Sequence, residues 1–289
     1  MVERIAVFGA GLMGAGITQV SAQGGFQVIM VDVSMSILNK GISTIRKNLQ
    51  RRVEQGKLAP EDMEKVLTRI QVDTKPVQPA KYCDLIIEAI PERIDLKIEL
   101  FHELDGICRS DVIFATNTSA LSITEMAAST SRPDKFIGMH FFNPVPMMRL
   151  VEIVRGEKTS DLTTKVAADI ARRMGKEVVF VKESPGFVTT RMNALIGNEA
   201  FHMIEEGIAS AEDIDKALKL GLNHPMGPFE LVDLVGLDTR LNVLRFLHER
   251  LGEKYRPSHL LEQYVKEGRL GRKSGRGVYR YTEKNESSS

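Results

Sequence analysis

The sequence predicts an α/β protein: a doubly wound, mostly parallel sheet in an N-terminal domain, residues 1–184, and an all-helical C-terminal domain, residues 185–289. Three observations predict it. Short β-branched runs alternate with helical patterns through the first part. A glycine-rich turn, Gly9-Ala10-Gly11-Leu12-Met13-Gly14, joins the first strand to the first helix. The alternation then stops at Ser184-Pro185-Gly186, after which helical periodicity dominates.

In chain order, Ile5–Phe8 reads as a buried strand, Leu12–Ala22 as a helix ended by Gly24-Gly25, and Gln27–Asp32 as a second strand. A long helix from Ser34 to Glu54 follows. Its companion, Pro60–Leu67, carries acidic residues in its first turn, which suits the positive end of a helix. Leu85–Ala89 and Val112–Ala115 are strands flanking a helix at Asp95–Cys108. Ser122-x-x-Glu125 is a capping box that opens another helix. Phe136–Met139, Leu150–Val154 and Val178–Val181 are later strands. Beyond residue 185 the predicted helices are Val188–Glu206, Ala211–Leu220, Pro228–Val235, Thr239–Leu251 and Ser258–Glu267, with one short strand at Val278–Tyr281.

At 289 residues the chain is long enough for two ordinary domains, and a hydrophobic fraction of 43% supports a packed core. The net charge of +1 gives no long-range reason to expect nucleic acid or an anionic membrane as partner. No apolar run has membrane-spanning length, and Met1-Val2-Glu3-Arg4 lacks the order of a secretory signal. Cys83, at the opening of a strand segment, and Cys108, at a helix end, form neither a metal spacing nor a CxxC pair and read as reduced thiols. A cytoplasmic location is expected, although a cleaved organelle presequence would leave no trace. The polar tail Glu283–Ser289 is expected to fray.

Gly9, Gly11 and Gly14 fit GxGxxG in its required context: after a strand, opening a helix, with a second strand ending in Asp32. Gly9 permits the tight turn, Gly11 lets backbone approach a pyrophosphate, and Gly14 lets helix and strand pack closely. Leu12 and Met13 begin the helix whose free N–H groups face that anion. Asp32 would accept hydrogen bonds from the ribose of NAD and repel the 2′-phosphate of NADP. This is a Rossmann-like site for NAD; the plainer alternative is a close strand-to-helix turn.

Of six histidines, His102, His202, His248 and His259 lie on predicted helices, and His224 lies in a loop before Pro225-Met226-Gly227-Pro228. His140 ends the strand Phe136–Met139, and carboxyl ends of strands are where open α/β sheets bind ligands. Glu152 stands inside the apolar strand Leu150–Val154, where an unpaired charge is costly. A His140–Glu152 pair removes that cost and orients the imidazole as a base, the group that dehydrogenation of an alcohol requires. A satisfied core histidine and a solvent-facing edge glutamate fit the same pattern. No metal site is read: His224 and nearby Glu230 lack further ligands.

The runs Gly9–Gly14, Glu88-Ala89-Ile90-Pro91-Glu92, Asn117-Thr118-Ser119-Ala120-Leu121, Gly138-Met139-His140-Phe141-Phe142-Asn143-Pro144, Ser184-Pro185-Gly186-Phe187, His224–Pro228 and Gly271-Arg272-Lys273-Ser274-Gly275 occur in that order. Together they resemble the short-chain L-3-hydroxyacyl-CoA dehydrogenases, close to the bacterial 3-hydroxybutyryl-CoA branch, over residues 3–281. The resemblance implies interconversion of (3S)-3-hydroxyacyl-CoA and 3-oxoacyl-CoA with NAD(H), and a homodimer formed by a helical domain that also closes over substrate. It implies that His140 is the base and Glu152 its partner, that Ser119 holds the 3-oxygen, and that Asn143 lies beside nicotinamide and substrate. Glu92 and Lys97 would line the NAD site. Read without the resemblance, Ser119 is a turn-former, Glu92 and Lys97 are surface charges, and Asn143 before Pro144 is a plain turn.

The resemblance also places a CoA contact on the helix after the second strand. There Arg46, Lys47, Arg51 and Arg52 crowd together, Arg52 at the implied position; a solvated basic face is the alternative. One departure stands out. Thr190 occupies the position of an asparagine expected near the thioester, with Asn193 on the same helical face. Altered acyl preference is the expectation. Gly271–Gly277 lacks a preceding strand and reads as a glycine-rich turn, and Phe229, Leu231, Val232, Leu234 and Val235 as domain core. Two other functions remain: a free-acid dehydrogenase using a lysine such as Lys216 or Lys219, and a non-catalytic dinucleotide-binding protein.

Overall fold

The computed structural model describes residues 2–281, so the polar tail lies outside the described residues. The chain divides into two compact units, Met1–Ser184 and Pro185–Ser289.

The first unit runs β1 (Arg4–Phe8), α1 (Leu12–Gln23), β2 (Gln27–Val31), α2 (Met35–Glu54), α3 (Pro60–Thr68), β3 (Ile70–Asp73), α4 (Val77–Tyr82), β4 (Leu85–Glu88), α5 (Ile94–Ile107), β5 (Ile113–Thr116), α6 (Ile123–Ala128), β6 (Phe136–Phe141), β7 (Leu150–Arg155), α7 (Asp161–Arg173) and β8 (Glu177–Lys182). Its sheet has the order β3-β2-β1-β4-β5-β6-β7-β8. From β3 to β6 the neighbours are parallel; β7 runs antiparallel to β6 and parallel to β8. The order reverses between β1 and β4, which opens a crevice at the carboxyl ends of those strands.

Why these strands sit centrally follows from their composition. Every residue of β4, β5 and β6 is buried, as expected of strands covered on both faces. Phe101 of α5 packs with Phe114 and Phe136 on one face, ring centroids 4.5 to 6.3 Å apart. On α2, Leu38, Gly41, Ile45 and Leu49 form the buried stripe, and the Ser34 hydroxyl accepts from the Ile37 amide to cap the helix.

Three elements escape the sequence pattern. β3 is a short edge strand, and α4 has only six residues with Pro79 inside. The buried stripe of α7 is built from Thr163, Thr164, Ala167, Ala168, Ile170 and Ala171, too small a set of side chains to stand out.

The second unit contains α8 (Thr189–Glu205), α9 (Ala211–Gly221), α10 (Pro228–Val235), α11 (Leu237–Leu251) and α12 (His259–Lys266) around Phe201, Phe229, Leu244, Leu247 and Tyr255. Of the predicted α10 cluster, Phe229 and Val232 are core, whereas Leu234 and Val235 are exposed. The predicted strand Val278–Tyr281 does not form. Among the described residues, the pairing there is limited to isolated bridges, Gly271 with Arg276 and Arg276 with Arg280. The Val278 and Tyr279 amides donate instead to the buried Asp233 carboxylate at 2.8 and 2.9 Å, which takes the place of a ladder. Among the described residues, no helix is long and apolar enough to cross a membrane.

Candidate active site

The glycine turn lies at the switch point. Gly9 has φ +105°, and a Cβ there would come within 2.5 Å of the Ala89 carbonyl oxygen beyond β4. A Cβ on Gly14 would lie 1.7 Å from the Gly9 carbonyl oxygen, so α1 reaches β1 only because this residue lacks a side chain. Gly11, by contrast, has open space around its would-be Cβ, and no side chain caps the first turn of α1. That combination suits an approaching phosphate group. A cavity of about 810 Å³ begins there, lined by Gly9, Gly11, Leu12, Met13 and Asp32 on one side and Ile90 and Pro91 on the other. Asp32 is fixed at its rim: one carboxylate oxygen accepts from the Ala10 amide and the other from the Val33 amide, both at 2.7 Å. The cavity and its acidic rim fit a dinucleotide.

Further along the sheet, His140 and Glu152 stand directly opposite each other in the antiparallel β6–β7 register. His140 is 7% exposed and Glu152 0%. Nδ1 of His140 lies 2.7 Å from a Glu152 oxygen. A carboxylate only accepts, so Nδ1 carries the hydrogen and the tautomer is set. The imidazole also lies 4.4 Å, centroid to centroid, from the Phe142 ring. The Asn117 side chain accepts from the Phe141 amide at 2.9 Å, which ties the loop after β5 to the end of β6.

That loop holds Ser119, half-buried, and it reaches a second set of charges. Glu92 accepts from the Thr118 hydroxyl at 2.5 Å, from the Ser119 amide at 2.9 Å and from the Ser119 hydroxyl at 3.3 Å. Lys97, 1% exposed, lies 3.3 Å from Glu92 and 2.5 Å from Glu88, which is fully buried. Lys97 is therefore a buried cation rather than a surface charge, whereas Glu92 stays partly open to solvent. Burial pushes the Glu88 carboxyl above its usual range, against the pull of Lys97, Thr116 and the Ile90 amide. Neither Glu88 nor Thr116 was singled out by sequence reasoning. The available signal was a carboxylate closing an apolar strand, Leu85-Ile86-Ile87-Glu88, the pattern that exposes Glu152.

The structure thus brings together the glycine turn with Asp32, His140 with Glu152, and Ser119 with Glu92 and Lys97. Asn143 is exposed in the turn after β6 and joined to Pro144 by a cis peptide bond. Arg51 and Arg52 form the last turn of α2, where Arg46 lies 3.8 Å from Glu64. Thr190, Asn193 and His224 lie in the second unit, the first two on α8. Lys219, the lysine of the free-acid alternative, is held by Glu230 at 2.5 Å.

Comparison with known proteins decides what this arrangement belongs to. A family model described as "3-hydroxyacyl-CoA dehydrogenase, NAD binding domain" matches residues 4–184, and one described as "3-hydroxyacyl-CoA dehydrogenase, C-terminal domain" matches residues 186–281. The chain belongs to the 3-hydroxyacyl-CoA dehydrogenase family. The probable 3-hydroxybutyryl-CoA dehydrogenase of Bacillus subtilis is 47% identical, over 98% of this chain and 99% of that protein. The human mitochondrial hydroxyacyl-coenzyme A dehydrogenase is 43% identical, over 97% and 92%. Among solved structures, the (S)-3-hydroxybutyryl-CoA dehydrogenase of Ralstonia eutropha superposes with a TM-score of 0.95 at 46% identity, covering 98% of this chain and all (100%) of that one. The cofactor of the 3-hydroxyacyl-CoA dehydrogenase first domain is NAD, in agreement with Asp32 at the cavity rim.

Proposed function

We propose that this chain interconverts short-chain (3S)-3-hydroxyacyl-CoA, such as 3-hydroxybutyryl-CoA, and 3-oxoacyl-CoA, and that the buried His140–Glu152 pair performs the proton transfer. The pair is the observation that carries the reading, because an imidazole with its tautomer set by a carboxylate is what alcohol oxidation needs.

Gly9, Gly11, Leu12, Met13, Gly14 and Asp32 would hold NAD, which would supply the two-electron acceptor for the hydride that the alcohol carbon loses in becoming the 3-oxo carbon. With Nδ1 of His140 engaged by Glu152, Nε2 takes the proton of the substrate 3-hydroxyl. Glu152 stabilises the imidazolium that results. Asn143 donates to the 3-oxygen and holds it while its bond order rises, and Ser119, its amide kept on Glu92, turns its hydroxyl proton from Glu92 to the same oxygen. Glu92 and Lys97 support the nicotinamide side of the site. In the reverse direction, protonated His140 returns the proton to the oxygen of acetoacetyl-CoA.

Residues 1–184 serve NAD binding, and residues 185–289 serve dimerisation and closure over substrate. Arg51 and Arg52 bind phosphates of CoA, and Thr190 and Asn193 face the acyl thioester. A cytoplasmic homodimer is the proposed form; Leu234 and Val235, exposed side by side on α10, support an apolar contact. Sedimentation at micromolar concentration checks it, and a monomer would exclude it.

NADH absorbance during incubation with acetoacetyl-CoA tests the reaction. Wild type consumes NADH, and His140→Ala is slower by orders of magnitude. Turnover of free acetoacetate but not its CoA ester would overturn the substrate assignment.

A further inference from the structure

Glu88 is fully buried at the carboxyl end of β4, opposite Phe8 on one neighbouring strand and Thr116 on the other. Its oxygens have three donors. The Ile90 amide and the Lys97 ammonium reach one oxygen at 2.7 and 2.5 Å, and the Thr116 hydroxyl reaches the other at 2.5 Å. A buried ion pair is a poor route to stability, because an apolar pair of similar volume serves as well or better. The pair does something that an apolar pair does not. The Lys97 ammonium, anchored by Glu88, also meets Glu92 at 3.3 Å, and Glu92 in turn holds both the amide and the hydroxyl of Ser119.

Resting on the reading of Ser119 as the residue that holds the substrate oxygen, we infer that Glu88 is a positioning residue: it fixes Lys97, which fixes Glu92, which aims Ser119. The chain of contacts crosses β4, α5, the loop after β4 and the loop after β5, so one buried carboxylate sets the geometry of a side chain it does not touch. Without Glu88, the Lys97 cation is left with one half-exposed carboxylate and the Ile90 carbonyl oxygen, 3.4 Å away. It then draws Glu92 toward itself and away from Ser119.

A double-mutant cycle on the full chain tests this. Glu88→Gln and Glu92→Gln are both near-isosteric and keep the packing. Glu88→Gln alone lowers kcat with acetoacetyl-CoA about tenfold, the scale of one charge-assisted hydrogen bond, with KM little changed. In the Glu92→Gln background the same change costs less than about twofold, because the route to Ser119 is already broken. Equal losses in both backgrounds would mean that Glu88 acts on stability alone and would overturn the inference. Hydrogen exchange at the Ser119 amide reads the same route without turnover. It quickens in Glu88→Gln, and unchanged exchange overturns the positioning role even if wild type proves inactive on acetoacetyl-CoA, which by itself would refute the substrate reading instead.

Discussion

Glu152→Gln removes one negative charge from the buried pair and leaves the volume of the side chain almost unchanged. Glu152 has no exposure to solvent, so water cannot replace what is lost. Its bond to His140 is 2.7 Å long. The imidazole becomes a cation only as the substrate proton arrives, so the interaction strengthens toward the transition state and its loss falls on kcat rather than on KM. A hydrogen bond to a charged partner is worth about 1.5–3 kcal/mol, which at about 1.4 kcal/mol per tenfold gives a fall in kcat of roughly 10- to 150-fold. The glutamine amide also has the option of turning its NH2 group toward Nδ1, which favours the other tautomer and pushes the loss to the upper end. Initial rates of NADH formation from NAD and (3S)-3-hydroxybutyryl-CoA, the direction in which His140 gains the proton, measure the effect, and NADH fluorescence verifies that cofactor affinity is retained. A variant within twofold of wild type in kcat would refute the view that Glu152 orients and stabilises the base.

Other perturbations follow from the same geometry. Gly14→Ala places a methyl group against the Gly9 carbonyl oxygen and forces α1 off the sheet. Overpacking of this kind costs about 1–3 kcal/mol. A melting point lower by several degrees and a marked loss of NADH affinity are expected, and normal affinity would contradict the close-packing role. Burial pushes the Asp84 carboxyl up, but the Glu3 and Arg4 amides and the Arg109 guanidinium outweigh it and hold the group below its usual range. Its contribution to stability is present above about pH 4, the unfolded value, and is lost as pH falls through the lower folded value. Wild type therefore loses melting temperature faster than Asp84→Asn below that pH, and parallel curves would be evidence against a stabilising role for this carboxylate. Thr190→Asn lengthens the polar reach on α8. The ratio of kcat/KM for acetoacetyl-CoA to that for longer 3-oxoacyl-CoA shifts severalfold if this position reads the acyl group, and a constant ratio across chain lengths sinks that idea.

What the sequence made legible tracks how strongly each element advertises its burial. β4, β5 and β6 are covered on both faces and appear as unbroken apolar runs. α10 is bounded as its Pro228 start implies. α7 was invisible because alanine and threonine, rather than leucine, form its inner face. The predicted strand at Val278–Tyr281 failed for a different reason: a side-chain carboxylate satisfies backbone donors as well as a strand does, and no local pattern announces that Asp233 is within reach. Within the site, a charge stranded in an apolar strand exposed Glu152 to a simple argument from cost. The same argument applies to Glu88, which lies inside the predicted strand Leu85–Ala89, but its charge-bearing and hydroxyl partners, Lys97 and Thr116, come from α5 and β5 and no local pattern pairs them with it. The burial of Lys97 was hidden because its two partners, Glu88 and Glu92, come from the end of β4 and the loop beyond it, and only the fold lays α5 across them.

The His140–Glu152 pair is a rung of the sheet, since the two residues oppose each other in the β6–β7 register. The chemistry is consequently spelled in the spacing of two strands rather than in a loop. The connection between them, residues 142–149, bears on the rung chiefly through Phe142, whose ring lies 4.4 Å from the imidazole, and it carries Asn143. A single residue inserted inside either strand is another matter: it turns one partner to the opposite face of the sheet and separates acid from base. A newly folded molecule gains its base at the moment these two strands lock in register.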